Sequence, residues 1–205
     1  MNDQPYQVPK AMVVFEEEIK KSIFITYLAR TSSVDDAKAF VAEIKAKHSD
    51  ARHNCWGFVA GRPEDSMKWG FSDDGEPSGT AGKPILAQLS GSGIGEITAV
   101  VTRYYGGVRL GTGGLVKAYG GGVQQALKLI ETEEKRITDT VILHCDYNLV
   151  SLVETLLSQF EGIQVDAQYS DKVVMSVELE KRVIEEFKIA IINKSGAKIE
   201  FPSDT

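Results

Sequence analysis

The sequence predicts an α+β fold in two domains, residues 1–135 and residues 136–205, on three observations. Stretches with period-two and period-3.6 apolar spacing alternate along the chain, which indicates strands interspersed with helices. A charged, linker-like stretch at residues 131–135 interrupts this pattern, which then starts again. After the interruption the element order is β-α-β-β-α-β, that of a ferredoxin-like domain.

The first domain is predicted to contain four strands and three helices. Residues 11–29 indicate two strands joined by a charged turn at Glu16–Lys21. Ser33 begins a helix, because Asp36 follows it at the spacing of a capping box and an apolar face comes next. The other predicted elements are strands at residues 53–60 and 97–105, helices at residues 84–89 and 115–130, and a long polar loop at residues 61–84. Gly120–Gly122 lie inside the last helix, which predicts close packing there or a kink.

The second domain supplies the ferredoxin-like order. Its predicted strands and helices are, in chain order, a strand at residues 138–147, a helix at 150–160, strands at 163–169 and 173–179, a helix at 183–192 and a strand at 197–201. The turn between the two central strands is predicted at Ser170–Lys172.

Charge is unevenly divided between the two predicted domains. The chain has a net charge of −6; up to Lys135 it has 16 basic and 17 acidic residues, and after Lys135 it has 7 and 12, so the two parts carry −1 and −5. An acidic chain is a poor generic binder of nucleic acid, because neutralised phosphates supply most of the non-specific affinity. Any nucleic-acid contact therefore needs a local basic patch on the first domain, whereas the second domain suits a protein partner.

The chain is expected to be cytoplasmic, with no membrane partner. It has no run of about 20 apolar residues that could span a bilayer. Its first ten residues, MNDQPYQVPK, lack the apolar segment of a signal peptide. Only two cysteines occur, Cys55 and Cys145, and they fall in different predicted domains. A disulfide framework is therefore excluded, which fits a reducing compartment.

Two long glycine-rich segments stand out from the rest of the sequence. They are Phe71–Pro84, FSDDGEPSGTAGKP, and Arg103–Gly122, RYYGGVRLGTGGLVKAYGGG. Together they resemble the signature of the IMPACT family, and in particular of its YigZ-like bacterial group. The resemblance extends from about Lys20 to the C-terminus, and neither segment departs from the family pattern.

The resemblance implies both a fold and a field of activity. It implies a first domain similar to the second domain of ribosomal protein S5 and to one domain of elongation factor G. It implies a ferredoxin-like second domain, again similar to a domain of elongation factor G. Eukaryotic relatives regulate translation by binding a protein that activates an initiation-factor kinase, so a role in translation or stress response is expected here.

The second glycine-rich segment could bind an anion. Gly111–Gly114 lies where a helix begins, and a helix N-terminus offers free N–H groups and partial positive charge. The alternative is a tight strand-to-helix turn with Thr112 as the N-cap. Aromatic residues next to basic ones are also typical of single-stranded RNA binding, and at least one of the two adjacent tyrosines is expected in the core. The predicted anion- or RNA-binding residues are Lys83, Arg103, Tyr104, Tyr105, Arg109, Thr112, Gly113, Gly114 and Lys117.

The first glycine-rich segment is the loop signature. Its residues are Asp73, Asp74, Gly75, Glu76, Gly79, Thr80 and Gly82. It is not a P-loop, because Pro77 stands where the first glycine should be and Pro84 replaces the metal-binding Ser or Thr. Its three carboxylates could hold Mg²⁺ or could form a solvated Asp-Gly turn. Neither a metal nor a cofactor is assigned.

His53 and Cys55 share one face of a predicted strand, two residues apart. Such a pair could serve nucleophilic catalysis, or Cys55 could be an ordinary core residue. No catalytic residue is assigned on this basis.

The favoured function is a non-enzymatic binding protein of translation or stress response. It would contact RNA, the ribosome or a translation-regulating protein through the glycine-rich basic surface of the first domain, and a protein partner through the second. The alternatives are a metal-assisted or Cys/His hydrolase that uses the Asp73–Lys83 loop, and a small-anion or nucleotide sensor at Thr112.

Overall fold

The computed structural model describes residues 3–202. The chain divides into two compact units, one formed by Tyr6–Lys135 and the other built mainly on the residues from Arg136 onward. Both units mix helices with antiparallel sheets, so the prediction of an α+β protein with two domains is confirmed.

The first unit is organised around a five-stranded antiparallel sheet. The unit as a whole has seven strands, five in this sheet and two in a separate pair. They are β1 (Tyr6–Pro9), β2 (Val13–Ile19), β3 (Ser22–Arg30), β4 (His53–Val59), β5 (Trp69–Ser72), β6 (Ile97–Tyr104) and β7 (Thr132–Lys135). Its helices are α1 (Val34–Lys47), α2 (Gly82–Gly91) and α3 (Thr112–Leu127). The order in the large sheet is β2-β3-β6-β4-β5, which makes β6 the central strand.

Helices cover both faces of this sheet. Alternate residues of β3 and β6, such as Phe24 and Val101, pack against α2 and α3, and Tyr119 of α3 is completely buried among them. On the other face, Tyr27 and Val100 pack against α1. Because both faces are covered, β6 is buried along nearly its whole length, which suits a strand rich in β-branched residues.

Helix α3 lies very close to the sheet. A Cβ atom on Gly122 would stand 2.7 Å from the Oγ1 of Thr26 on β3. The glycine therefore permits a helix–strand approach that any larger side chain would prevent. Of the two explanations that the sequence offered for glycine inside this helix, the structure supports close packing.

Two predicted irregular segments contain strands. Residues 131–135, expected to be a linker, include β7, which pairs with β1 in an antiparallel ribbon. The polar loop predicted at residues 61–84 contains β5 as an edge strand beside β4. Both strands have only four residues, and β7 pairs with residues more than a hundred positions away. The local sequence pattern therefore does not predict them.

The second unit is a smaller sheet with two helices. Its elements are β8 (Thr138–Cys145), α4 (Val150–Gln159), β9 (Ile163–Tyr169), β10 (Val173–Glu180) and α5 (Ile184–Ser195). The sheet order is β8-β10-β9. The strand predicted at residues 197–201 is reduced to a single bridge, in which His144 and Glu200 exchange two backbone hydrogen bonds at the free edge of β8. Across residues 3–202, no helix has the combined length and apolar character needed to cross a bilayer.

Candidate functional site

A cavity of about 380 Å³ opens beside the start of α3, where the end of β6 meets the loop after β5. This basic pocket is defined by the residues that line it: Arg52, His53, Glu76, Pro77, Arg103, Tyr105, Arg109, Leu110, Gly111, Thr112 and Leu115. Three of them are arginines, although the chain as a whole is acidic.

Arg103 forms the buried part of the pocket. It lies one residue before the end of β6 and is only 6% exposed. Its Nη1 donates to Oε1 of Glu76 at 2.7 Å, and its guanidinium group lies over the rings of Phe24 and Tyr105 at 5.5 and 5.4 Å. Its Nε is buried without a hydrogen-bond partner. The side chain is thus held firmly and keeps one donor unused.

Glu76 balances this buried cation. The carboxylate is 8% exposed, and its Oε1 also accepts a hydrogen bond from the Tyr119 hydroxyl at 2.7 Å. Burial, together with Cys55 and Glu76 nearby, raises the pKa of Tyr119 far above its usual value, so the hydroxyl remains a donor. Removing one partner of such a buried pair would leave an uncompensated charge, which costs about 3–5 kcal/mol.

The three carboxylates of the loop signature each have separate partners. Asp73 accepts hydrogen bonds from the backbone N–H groups of Gly79, Ala81 and Gly82. Burial alone would raise the pKa of Asp73, but these donors and the nearby Lys83 outweigh it and lower the pKa.

The partners of Asp74 differ from those of Asp73. It accepts from the backbone N–H of Asn54 at 2.7 Å and pairs with Lys45 at 2.5 Å. Glu76 is committed to Arg103 and Tyr119, as described above. Within residues 3–202, no three His, Cys, Asp or Glu side chains are grouped so that they could hold a metal ion. The arrangement therefore gives no support to the Mg²⁺ alternative.

Cys55 is a residue of the hydrophobic core. It is completely buried, and its thiol donates to the backbone oxygen of Asp73 at 2.9 Å. Burial raises the pKa of this thiol well above its usual range, so the reactive thiolate is not formed near neutral pH. His53 bonds through Nδ1 to the backbone oxygen of Asp74, and not to Cys55. The geometry therefore argues against a Cys/His nucleophile.

The start of α3 leaves backbone donors without a capping side chain. The N-cap is Gly111, with φ of 76°, and Thr112 is the first helical residue, so the alternative in which Thr112 is the N-cap is wrong. A left-handed N-cap favours glycine, which has no side chain to accept hydrogen bonds from the first turn. Gly111 and Thr112 both line the pocket, so positive partial charge is present at its wall.

The structure brings together only some of the predicted binding residues. Arg103, Tyr105, Arg109 and Thr112 line the pocket, as does Glu76 from the loop signature. Those outside its lining are Lys83, Tyr104, Gly113, Gly114 and Lys117.

Tyr104 is directed elsewhere, because consecutive strand residues point to opposite faces. Its hydroxyl contacts Asp50 and His48 on the α1 side of the sheet. Tyr104 is partly buried and Tyr105 is 50% exposed, so the expectation that one of them lies in the core is wrong.

Arg52 also lines the pocket, although its local sequence pattern did not mark it as a candidate. It directly precedes β4, which pairs with β6 so that His53 stands opposite Arg103. The only signal in the sequence was a basic residue at the beginning of a predicted strand. Arg52 can reach the pocket only because β4 pairs with β6, and local sequence patterns do not show which strands are neighbours.

Known proteins match this chain over almost its full length. The family profile of the Impact N-terminal domain matches residues 20–127, and that of a domain of unknown function (DUF1949) matches residues 143–198. An "IMPACT family member" of Haemophilus influenzae is 53% identical over 194 residues, covering 95% of this chain and 94% of that protein. The "IMPACT family member YigZ" of Escherichia coli is 51% identical over 197 residues, covering 96% and 97%.

A solved structure, described as the crystal structure of a hypothetical protein, agrees with these matches. It is 50% identical, has a TM-score of 0.71 and covers 98% of both chains. The resemblance carried by the two glycine-rich segments is confirmed, and the chain belongs to the IMPACT family.

Proposed function

We propose that this protein is a non-enzymatic RNA-binding protein of translation or stress response, and that its first unit binds RNA phosphate in the basic pocket. The observation that carries the proposal is the gathering of Arg52, Arg103 and Arg109 at the N-terminus of α3. Guanidinium groups and helix N-termini both suit phosphate, because they offer N–H donors together with positive charge.

The charge distribution favours this site over the rest of the surface. The chain carries −6 overall, so RNA would be repelled from most of it. In the pocket the only carboxylate is Glu76, and it is paired with Arg103. Arg52 and Arg109 are exposed and give the pocket a local excess of positive charge.

An aromatic ring adjoins the arginines. Tyr105 is 50% exposed at the pocket and contacts the guanidinium group of Arg103. Aromatic rings beside cations stack unpaired bases with little dependence on sequence, which is how proteins bind single-stranded RNA. Lys117 is exposed in the second turn of α3, outside the pocket lining. The part of the chain after Lys135, which carries a charge of −5, is proposed to contact protein.

Binding of single-stranded RNA to the full chain tests the proposal. The double variant Arg52→Ala/Arg109→Ala removes both exposed pocket arginines, and Lys10→Ala/Lys38→Ala removes the same charge from exposed positions outside the pocket. The pocket variant should bind at least about tenfold more weakly, while the control should change less than about twofold.

Salt dependence gives a second readout. The plot of log K against log salt has a negative slope, and each lost phosphate contact reduces the magnitude of that slope by about 0.7. The magnitude for the pocket variant should therefore be smaller by about 1.4. Wild-type protein should also sediment with ribosomal particles at low salt and leave them as salt rises. Absence of RNA binding by the wild type at low salt, or equal losses in both double variants, would overturn the proposal.

A further inference from the structure

We infer that the basic pocket binds a terminal phosphate monoester, the group found at the 5′ end of an RNA and on a free nucleotide, in preference to an internal phosphodiester. The inference rests on the proposed function and specifies the chemical group that the site recognises.

The charge of the pocket corresponds to a dianion. Arg103 is balanced by Glu76, and within residues 3–202 Arg52 and Arg109 have no ion-pair partner. Two unbalanced cations remain, in addition to a partial charge of roughly +0.5 at the α3 N-terminus. A phosphate monoester carries about −1.5 to −2 near pH 7, whereas an internal phosphodiester carries one negative charge. The monoester therefore gains more from this pocket.

Buried donor groups point to the same ligand. Arg103 is more than nine-tenths buried and lines the pocket, and its Nε has no partner. An unsatisfied N–H in a desolvated position is costly, and a phosphate oxygen would relieve that cost. The N–H groups at the start of α3 meet no capping side chain. A monoester presents three terminal oxygens to these donors, one more than a diester.

The size and walls of the cavity suit one nucleotide. A volume of about 380 Å³ lies at the lower end of the roughly 300–1,000 Å³ range of small-molecule pockets. Leu110 and Leu115 supply apolar wall, and the ring of Tyr105 lies beside Arg103 for stacking against a base. A phosphate among the arginines with its base on Tyr105 would fill a space of this size.

The test compares two RNAs that differ only in the terminal group. A single-stranded 8-nucleotide RNA with a 3′ fluorophore is prepared with a 5′-phosphate and with a 5′-hydroxyl, and both are titrated with the full chain by fluorescence anisotropy. The 5′-phosphate RNA should bind at least tenfold more tightly. The Arg109→Ala variant should reduce this preference to less than threefold, and the charge-matched Lys38→Ala variant should retain it.

Arg109 is chosen because it is exposed, so its removal leaves the buried Arg103–Glu76 pair in place. Equal binding of the two RNAs, with affinity still lost in Arg52→Ala/Arg109→Ala, would overturn the terminal-phosphate inference and leave the proposed RNA binding intact. Absence of binding by both RNAs would overturn both.

Competition with adenosine monophosphate distinguishes the two sources of the group. If it displaces the 5′-phosphate RNA at a concentration near the Kd of that RNA, the terminal phosphate inference is supported and a free nucleotide is the source. If it displaces the RNA only at concentrations more than a hundredfold higher, the inference is supported with an RNA end as the source. Equal displacement by adenosine, which lacks the phosphate, would overturn it.

Discussion

Replacing Glu76 by glutamine perturbs the centre of the site while keeping the size of the side chain. The carboxylate is nearly buried and serves both Arg103 and Tyr119 through the same oxygen. Glutamine keeps an oxygen acceptor for these donors but removes the negative charge. The guanidinium group of Arg103 then stays buried with no charge to balance it.

The expected loss of stability follows from the burial of this pair. Breaking a buried ion pair by removing one partner costs about 3–5 kcal/mol. Because glutamine still accepts hydrogen bonds, we expect a loss toward the lower end, about 3 kcal/mol, for the first unit. With a urea dependence of about 1–3 kcal/mol per molar, the midpoint of unfolding should fall by about 1–3 M.

Intrinsic fluorescence measures this change selectively. The chain has two tryptophans, Trp56 and Trp69, and both lie in the first unit. Their emission therefore follows the unfolding of that unit alone. Glu43→Gln, an exposed change on α1, is the matched control and should stay within about 0.5 kcal/mol of the wild type. Similar midpoints for Glu76→Gln and Glu43→Gln would refute the assignment of Glu76 as the essential counter-ion of Arg103.

The same variant should bind phosphate more tightly. Without the carboxylate, the positive charge of Arg103 acts fully on a bound anion, and the repulsion between Glu76 and that anion disappears. We expect Glu76→Gln to unfold at lower urea and yet to bind the 5′-phosphate RNA several-fold better at concentrations where it is folded. Weaker binding by the folded variant would mean that Glu76 acts mainly by shaping the pocket.

Three other predictions concern the rest of the first unit and the cysteines. Burial, helped by the adjacent lysine, lowers the pKa of His48. Stability should therefore fall as the pH drops from about 6.5 toward the lowered pKa, because the unfolded chain then binds a proton that the folded protein does not. The urea midpoints measured at pH 7.5 and 5.5 should differ less in His48→Gln than in the wild type. Gly106→Ala would place a Cβ 1.8 Å from a main-chain oxygen in the β2–β3 turn and should destabilise the first unit by about 2 kcal/mol or more. Gly121→Ala adds a Cβ that meets no other atom within 4 Å and should stabilise α3 by up to about 1 kcal/mol. Thermal melting of the two variants compares these effects. Cys55 and Cys145 are both buried, with thiol pKa values raised by burial, so a thiol reagent should modify neither in the folded protein and both in denaturant; rapid modification of either before unfolding would contradict this.

The sequence predicted the elements that have strong local periodicity. The helices α1, α4 and α5 lie close to their expected positions because their apolar spacing is regular over two turns or more. The long strand β6 does so because it is rich in β-branched residues. The short strands β5 and β7 were missed. Their four residues carry no distinct alternation, and their strand character comes from pairing with β4 and β1.

The candidate site was predicted only in part, for a similar reason. Glycine and arginine near the start of α3 indicated an anion site from local chemistry alone. Arg52 could not be selected, because it reaches the pocket only through the pairing of β4 with β6. Tyr104 was grouped with Arg103, although strand alternation separates them; Tyr105, two residues from Arg103, shares its side of the strand.

A carboxylate in the middle of a pocket proposed to bind anions needs a physical reason, and Arg103 provides it. A guanidinium group this deeply buried is costly unless an opposite charge lies within contact. Glu76 supplies that charge in the free protein and fixes the side chain at the wall of the pocket before any ligand arrives. A preorganised site loses less entropy on binding, and this raises its affinity for the ligand. Repulsion between Glu76 and a bound anion lowers that affinity. A monoanion gains less from the exposed arginines than a dianion does, while Glu76 opposes both. The two exposed arginines, and not the neutral buried pair, therefore make the pocket discriminate by charge, which is the property that the comparison of 5′-phosphate and 5′-hydroxyl RNA measures.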